Sequence, residues 1–280
     1  MGEPAQNVDP PLVRARLRVG SVLSNPQVQT AITFATFLVV WEVAVAVFRV
    51  RPYILPAPSA IVRAGLRSSA QLLRASEYTI QSILVGYVAA VVAGVVMALP
   101  IALSGLMRRT VYPMLVLSQL VPKVALAPIF VIWFGFSLWP KITVVFLLSF
   151  FPVVLNGIVG LQSIDPEIIH LTRSTGASAW DTFFKVRLPY ALPNFFAGFK
   201  LAAISATDGG VIGEFIGSDS GLGYVILVAN GDLHTDLSFA AIVTLTVLGL
   251  LLYYAVEFIE RLSIPWHQSQ RPAGEQPQGL

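Results

Sequence analysis

The sequence predicts an all-α fold, a polytopic membrane protein with about six transmembrane helices and a polar two-helix loop on the cytoplasmic side. Two observations carry this expectation. Of 280 residues, 55% are hydrophobic and only 12% charged, about half the charge of an ordinary soluble domain, and mean hydropathy is +0.74. The apolar residues also gather into runs of about 20, the length a bilayer demands of a helix. So few polar residues argue against a water-soluble enzyme, and so much apolar surface excludes a disordered chain.

The runs fall at 30–49, 80–104, 111–134, 141–162, 194–216 and 237–260. A polar leader with Arg14, Arg16 and Arg18 precedes the first. No small-residue cleavage site stands close behind that run, so it reads as a retained span and not as a signal peptide. Pro52, Pro56 and Pro58 then force a stiff extended connector, because each lacks an amide hydrogen and biases its predecessor away from the helix. Residues 58–75 read as a helix lying in the membrane interface, with Arg63, Arg67 and Arg74 on one face and Ile61, Val62, Leu66, Leu72 and Leu73 on others.

The third span carries Pro122 and Pro128, whose missing amides weaken its ladder. The fifth holds Asp208 and Glu214. Trp133, Phe134, Phe136 and Trp139 read as an interfacial aromatic belt. An inside N-terminus places Arg14, Arg16, Arg18, Arg108, Arg109, Arg173, Lys185, Arg187, Arg261 and Arg271 within, against Arg49, Arg51, Arg63, Arg67, Arg74 and Lys141 without. That excess favours cytoplasmic termini. The chain then divides into a cytoplasmic tail 1–28, a transmembrane domain 29–262 that includes the loop 163–192, and a cytoplasmic tail 263–280.

The absence of cysteine excludes disulfides, thiolate catalysis and cysteine-ligated metals. His170, His234 and His267 stand far apart without ligand spacing. A net charge of +3 is small, and reads as membrane-orienting arginine and not as a nucleic-acid patch. No metal, cofactor or nucleic-acid partner is expected.

The polar stretch from Asp165 to Pro193 is the most informative. Asp165-Pro166-Glu167 is a strong helix start, combining a capping carboxylate, a first-turn proline and an acid at the positive end of the dipole. Gly176 is placed to end that helix in a left-handed conformation. Ser178 and Asp181 form a capping box for a second helix, which Pro189 stops before Pro193 opens the fifth span.

Small residues recur every four positions in two stripes: Gly86, Ala90, Gly94, Ala98 and Ala102, then Gly209, Gly213, Gly217 and Gly221. The first predicts close helix packing. The second reads either the same way or as a broken re-entrant segment lining a cavity. Lys123 at membrane depth either lines a solute path or pairs structurally, and Gln119 is placed one turn earlier on its face. Asp208 and Glu214 read as gate or packing groups within the candidate path, and Glu42 as a structural contact.

Here the sequence resembles a family. Gly176, Val186 and Leu188-Pro189 reproduce the spacing of the "EAA…G…I-LP" loop of membrane subunits of binding-protein-dependent ABC importers. In order along the chain stand Leu55-Pro-Ala-Pro58, Pro122-Lys-Val-Ala-Leu-Ala-Pro128, Trp133-Phe-Gly135, Phe151-Pro152, Gly176-Ala-Ser178, Gly213-Glu-Phe215, Gly221-Leu-Gly-Tyr224 and Pro265-Trp-His267. Together they are similar to the nitrate/taurine/alkanesulfonate branch, which also holds permeases for vitamin precursors.

The resemblance implies a permease in the bacterial cytoplasmic membrane that is not itself an enzyme. Its partners would be a cytoplasmic ATP-binding subunit, an extracytoplasmic solute-binding protein, a second copy of the chain and the lipid bilayer. It also implies that the 163–192 loop is the coupling element, with His170, Leu171, Arg173, Ser174, Thr175, Gly176, Ala177 and Ser178 against the ATPase. His170-Leu171-Thr172 stands where the family has Glu-Ala-Ala, so an acidic residue's salt bridge is missing. No G-x-x-x-x-G-K-[ST] phosphate loop is present, so the energy must come from a partner chain. The alternative is a secondary transporter driven by an ion gradient, which would predict internal repeats with paired broken helices.

Overall fold

The computed structural model describes residues 26–266. Arg14, Arg16, Arg18, His267 and Arg271, with most of both tails, lie outside the described residues. Among the described residues the chain is helical, without strands.

Helix α1 (Pro26–Val47) is the first span. It stands apart from the bundle, with Phe34, Phe37, Val39, Val40 and Val43 all exposed, as an outer helix bathed in lipid must be. Two contacts tie it down. Trp41 meets Phe239 edge-on at 6.2 Å. The Glu42 carboxylate accepts the Ser59 N–H at 3.0 Å and the Ser59 hydroxyl at 2.7 Å. Ser59 lies in the first turn of α2 (Pro58–Arg67), whose amides have no intrahelical partner. The structural contact expected of Glu42 is therefore a helix cap supplied from another helix.

The interfacial helix is shorter than the sequence suggested. It ends at Arg67, and α3 (Ser69–Leu103) begins at once. Arg74, Leu72 and Leu73 thus belong to the second span, since nothing in 69–75 breaks a helix that already favours continuation.

The third span is not one helix. α4 (Gly105–Ser118) ends before Gln119, a single 3₁₀ turn runs Lys123–Leu126, and α5 (Ala127–Phe134) follows, the two halves bent by 79°. Pro122 stands at the start of the 3₁₀ turn and Pro128 in the first turn of α5, so neither continues α4 and the chain turns instead of kinking. Gln119 and Lys123 therefore share the break and not a helix face.

Helix α6 (Leu138–Gln162) is the bundle's axis, packed along α3 on one side and α9 (Leu188–Gly217) on the other. Both small-residue stripes make this possible. An added Cβ at Gly86 of α3 or at Gly209 of α9 would overlap Val145, and one at Gly94 would overlap Val153. Val145 and Val153 are fully buried in the core with Ile83, Ala202, Ala203 and Ala206. The second stripe is packing for its first three members, since Gly213 meets Lys141 and Gly217 meets Val131, while Gly221 lies beyond the helix at the break before the next one.

Between α6 and α9 lie α7 (Pro166–Ser174) and α8 (Ala179–Thr182). Pro189 does not stop the second helix, and Pro193 does not open a new one. A π turn at Phe183–Arg187 lets the Leu188 N–H reach back to Phe183, and the widened turn makes room for the Pro189 ring. The helical run is continuous from Ala179 to Gly217.

A short helix α10 (Leu222–Gly231), absent from the sequence reading, precedes the last span α11 (Thr235–Ser263). Among the described residues five helices are long and apolar enough to cross a membrane, and the bent pair α4/α5 makes a sixth when counted as one span.

Candidate functional site

The connection between α6 and α9 folds into an elbow ordered by its own caps. The Asp165 carboxylate accepts the Glu167 N–H at 2.9 Å. Pro166 occupies the first turn, where its missing amide costs nothing, and Glu167 complements the dipole. At the far end, the Gly176 N–H donates to the Arg173 carbonyl at 3.0 Å. Gly176 then reverses the chain with φ +81°, a conformation that strains any residue with a Cβ.

Ser178 starts the next helix. Its Oγ accepts the Asp181 N–H at 3.0 Å while its hydroxyl donates to the Asp181 carboxylate at 2.5 Å. Lys185 closes the set with an ion pair to Asp181 at 2.7 Å.

This rigidity is not bought by packing, since α7 buries no residue. His170, Leu171, Arg173, Ser174, Thr175, Gly176 and Ser178 are exposed and Ala177 is half-buried. Leu171 shows 67% of its surface. An apolar side chain held out on a stiff polar projection is suited to a socket on another chain.

The four polar residues expected along a solute path occupy three different settings. Gln119 and Lys123 are half-buried in the α4/α5 break, and Lys123 Nζ stands 4.3 Å from the Phe151 ring centre. Asp208 is exposed on α9. Glu214 is buried, and its Oε2 accepts the Gly223 N–H at 2.6 Å. Thr79 of α3 accepts the neighbouring Leu222 N–H at 2.8 Å. These two side chains hold the first turn of α10, whose free amides favour a carboxylate. Gly221, at φ +101°, passes so close that a Cβ would overlap the Glu214 carboxyl group.

Sequence reasoning missed α10, Thr79 and a buried ion pair between Lys200 of α9 and Glu260 of α11 at 2.5 Å. It also missed a cavity of about 330 Å³ at the opposite end of α3 from the elbow, lined by Arg74, Tyr78, Asp219, Tyr224, Asp232 and His234. The signal for that cavity was the polar Asp219 and Asp232 bracketing the short apolar run 222–231.

Comparison with known proteins agrees with this geometry. Residues 90–264, from mid-α3 to the end of α11, match the family described as "Binding-protein-dependent transport system inner membrane component". The chain is 34% identical over 248 residues to the formylaminopyrimidine transport permease protein ThiX of Halalkalibacterium halodurans, covering 88% of this chain and 99% of that one. It is 32% identical over 263 residues to the riboflavin transport system permease protein RibX of Chloroflexus aurantiacus, covering 92% and 98%. It is 28% identical over 242 residues to the taurine transport system permease protein TauC of Escherichia coli, covering 84% and 88%.

Among solved structures, an inward-facing MetNI methionine ABC transporter shares the fold, with TM-score 0.52 and 22% identity over 74% of this chain and 98% of that one. Relatives of this kind are permease subunits, not enzymes. With its long apolar helices, its capped elbow and the ordered motifs around it, the chain belongs to the family of binding-protein-dependent transport system inner membrane components, on the branch of the nitrate, taurine and sulfonate permeases.

Proposed function

We propose that this ABC importer permease subunit moves a small organic solute inward by alternating access, driven by a separate cytoplasmic ATP-binding subunit seated on the elbow. The observation that carries the reading is the elbow itself, capped by Asp165, Gly176 and Ser178, with no fully buried residue in α7. A stiff projection transmits displacement, whereas a loose loop would absorb it. Moving an inward/outward equilibrium from 1:99 to 99:1 takes about 5.5 kcal/mol of differential binding, and closure of an ATP-bound partner is the source.

In this reading His170, Leu171 and the turn from Ser174 to Ser178 touch the ATPase. The excess of inner Lys/Arg supports cytoplasmic termini and a cytoplasmic elbow, with residues 29–262 as the permease domain between two cytoplasmic tails. A second copy of the chain completes the pathway, and a solute-binding protein delivers cargo from the outer side. The cargo class is a sulfonate- or taurine-like anion or a vitamin precursor. Identities of 34% and 32% to the permeases named for formylaminopyrimidine and riboflavin, beside 31% to one named for aliphatic sulfonates, support both arms.

The test is Gly176→Pro, which forces φ near −65° where the chain needs +81°. The variant should insert and fold but lose co-purification with the ATP-binding subunit or solute-stimulated ATP hydrolysis. Normal stimulated hydrolysis in that variant would refute the assignment.

A further inference from the structure

We propose that the groove between the cytoplasmic end of α3 and the elbow is a binding site for one anionic phospholipid. Its phosphate would lie between Arg173 and Arg187, and an acyl chain against Leu99 and Leu103. These residues, with Trp180 and Phe184, line one cavity of about 510 Å³.

Charge is the first argument. Arg173 comes from α7 and Arg187 from the π turn, so two separate elements bring guanidinium groups to one groove. No carboxylate lines it, and among the described residues neither arginine belongs to an ion pair. Two uncompensated planar cations facing one cavity match the oxygens of a phosphate diester, which each can grip with paired N–H donors.

The lining decides between a lipid and free phosphate. Leu103 is exposed, and it continues the exposed apolar face of α3 that carries Val92 and Val96. Free phosphate would leave that apolar half of the groove in contact with water, whereas an acyl chain covers it. Trp180 and Phe184 pack at 4.7 Å between the two halves, and Trp180 is 73% exposed. An aromatic pair at the boundary of charge and hydrocarbon is what the headgroup level of a bilayer accommodates. The site goes beyond the ATPase contact: Arg173, grouped with that contact by the resemblance, lines this groove, whereas Leu171 and Gly176 do not.

The experiment uses the purified full-length chain in mixed micelles containing brominated phosphatidylglycerol or brominated phosphatidylcholine. Quenching of Trp180 is read as the difference between the wild type and Trp180→Phe. Phosphatidylglycerol should quench at a mole fraction roughly tenfold lower than phosphatidylcholine, given the attraction of each basic residue to anionic lipid. Arg173→Gln/Arg187→Gln should abolish that preference, and Arg173→Lys/Arg187→Lys should keep most of it.

Equal quenching by the two lipids in the wild type overturns the proposal, as does a preference that survives in the glutamine variant. Relief of phosphatidylglycerol quenching by millimolar inorganic phosphate assigns the groove to a free anion and overturns the lipid. If the glutamine variant fails to fold, the wild-type comparison and the lysine variant still decide. The leaflet rests on the orientation proposed above, but micelles have no sides, so failure of binding and failure of that orientation are distinguishable.

Discussion

Lys200 of α9 and Glu260 of α11 meet at 2.5 Å with side chains only 19% and 5% exposed. An ion pair removed from water at membrane depth holds the last span to the bundle, and its cost is repaid only while both charges are present. Lys200→Met should lower stability by about 3 kcal/mol, read as a drop in thermal midpoint in detergent. Adding Glu260→Gln to that variant should recover part of the loss, because the charge that Lys200 balanced is then removed. A single variant that unfolds like wild type would show the pair to be incidental.

Val145 is gripped between Gly86 and Gly209, so it reports on both stripes at once. A Cβ at Gly86 would come within 2.6 Å of Val145 and 2.9 Å of the Ile142 carbonyl. Gly86→Ala should therefore push α3 off α6 and cost about 1–3 kcal/mol. Val145→Ala removes the overlap with Cγ1 but leaves the equally close Cβ and the carbonyl contact, so the double variant should regain only a small part of the loss. Full additivity of the two single effects would contradict the contact.

Gly221 and Glu214 make a second close approach. Gly221→Ala combines a positive φ with an overlap on the carboxyl group, and should cost about 2 kcal/mol. Glu214→Ala should free the Gly223 amide and loosen α10. The pair should couple, with the double variant less damaged than the sum of its parts. Protease accessibility of 218–231 is the measurement, and unchanged cleavage in Gly221→Ala would argue that α10 is not seated this way.

The elbow's caps can be tested through local order alone. Asp165→Ala and Ser178→Ala each remove a side-chain acceptor from a helix start, typically worth about 1 kcal/mol. Amide exchange across 166–182 should quicken several-fold in each, while the bundle's midpoint stays put. If exchange is unchanged, the ordering of the loop comes from somewhere other than its caps.

Much of this was legible from the chain. Asp165, Gly176, Ser178 and Asp181 act locally, through backbone groups within four residues, so their roles could be read from spacing alone. The stripes at Gly86 and Gly209 announced close packing because a period of four puts small residues on one helix face. What escaped the reading depends on partners distant in sequence. Lys200 meets Glu260, and Thr79 meets the Leu222 amide. Nothing near any of these residues marks the other.

Prolines misled in both directions. Pro122 broke a span that looked whole, because Pro128 follows within two turns. Pro189 failed to break a helix, because one widened turn absorbed it. The path residues Lys123, Asp208 and Glu214 share a residue class but not an environment, and composition cannot sort them. Depth in the membrane made each look functional. Only neighbours separate a cap from a solute contact.

The uninterrupted run from Ala179 to Gly217 spans 39 residues, so it works as a lever arm of about 58 Å at 1.5 Å per residue. Gly176 lies just before one end and Glu214 close to the other. A tilt of about 5° about the near end therefore sweeps the far end through roughly 5 Å, one helical turn. By that geometry, a nudge too small to disturb packing beside the elbow becomes a full-turn shift where α10 is moored.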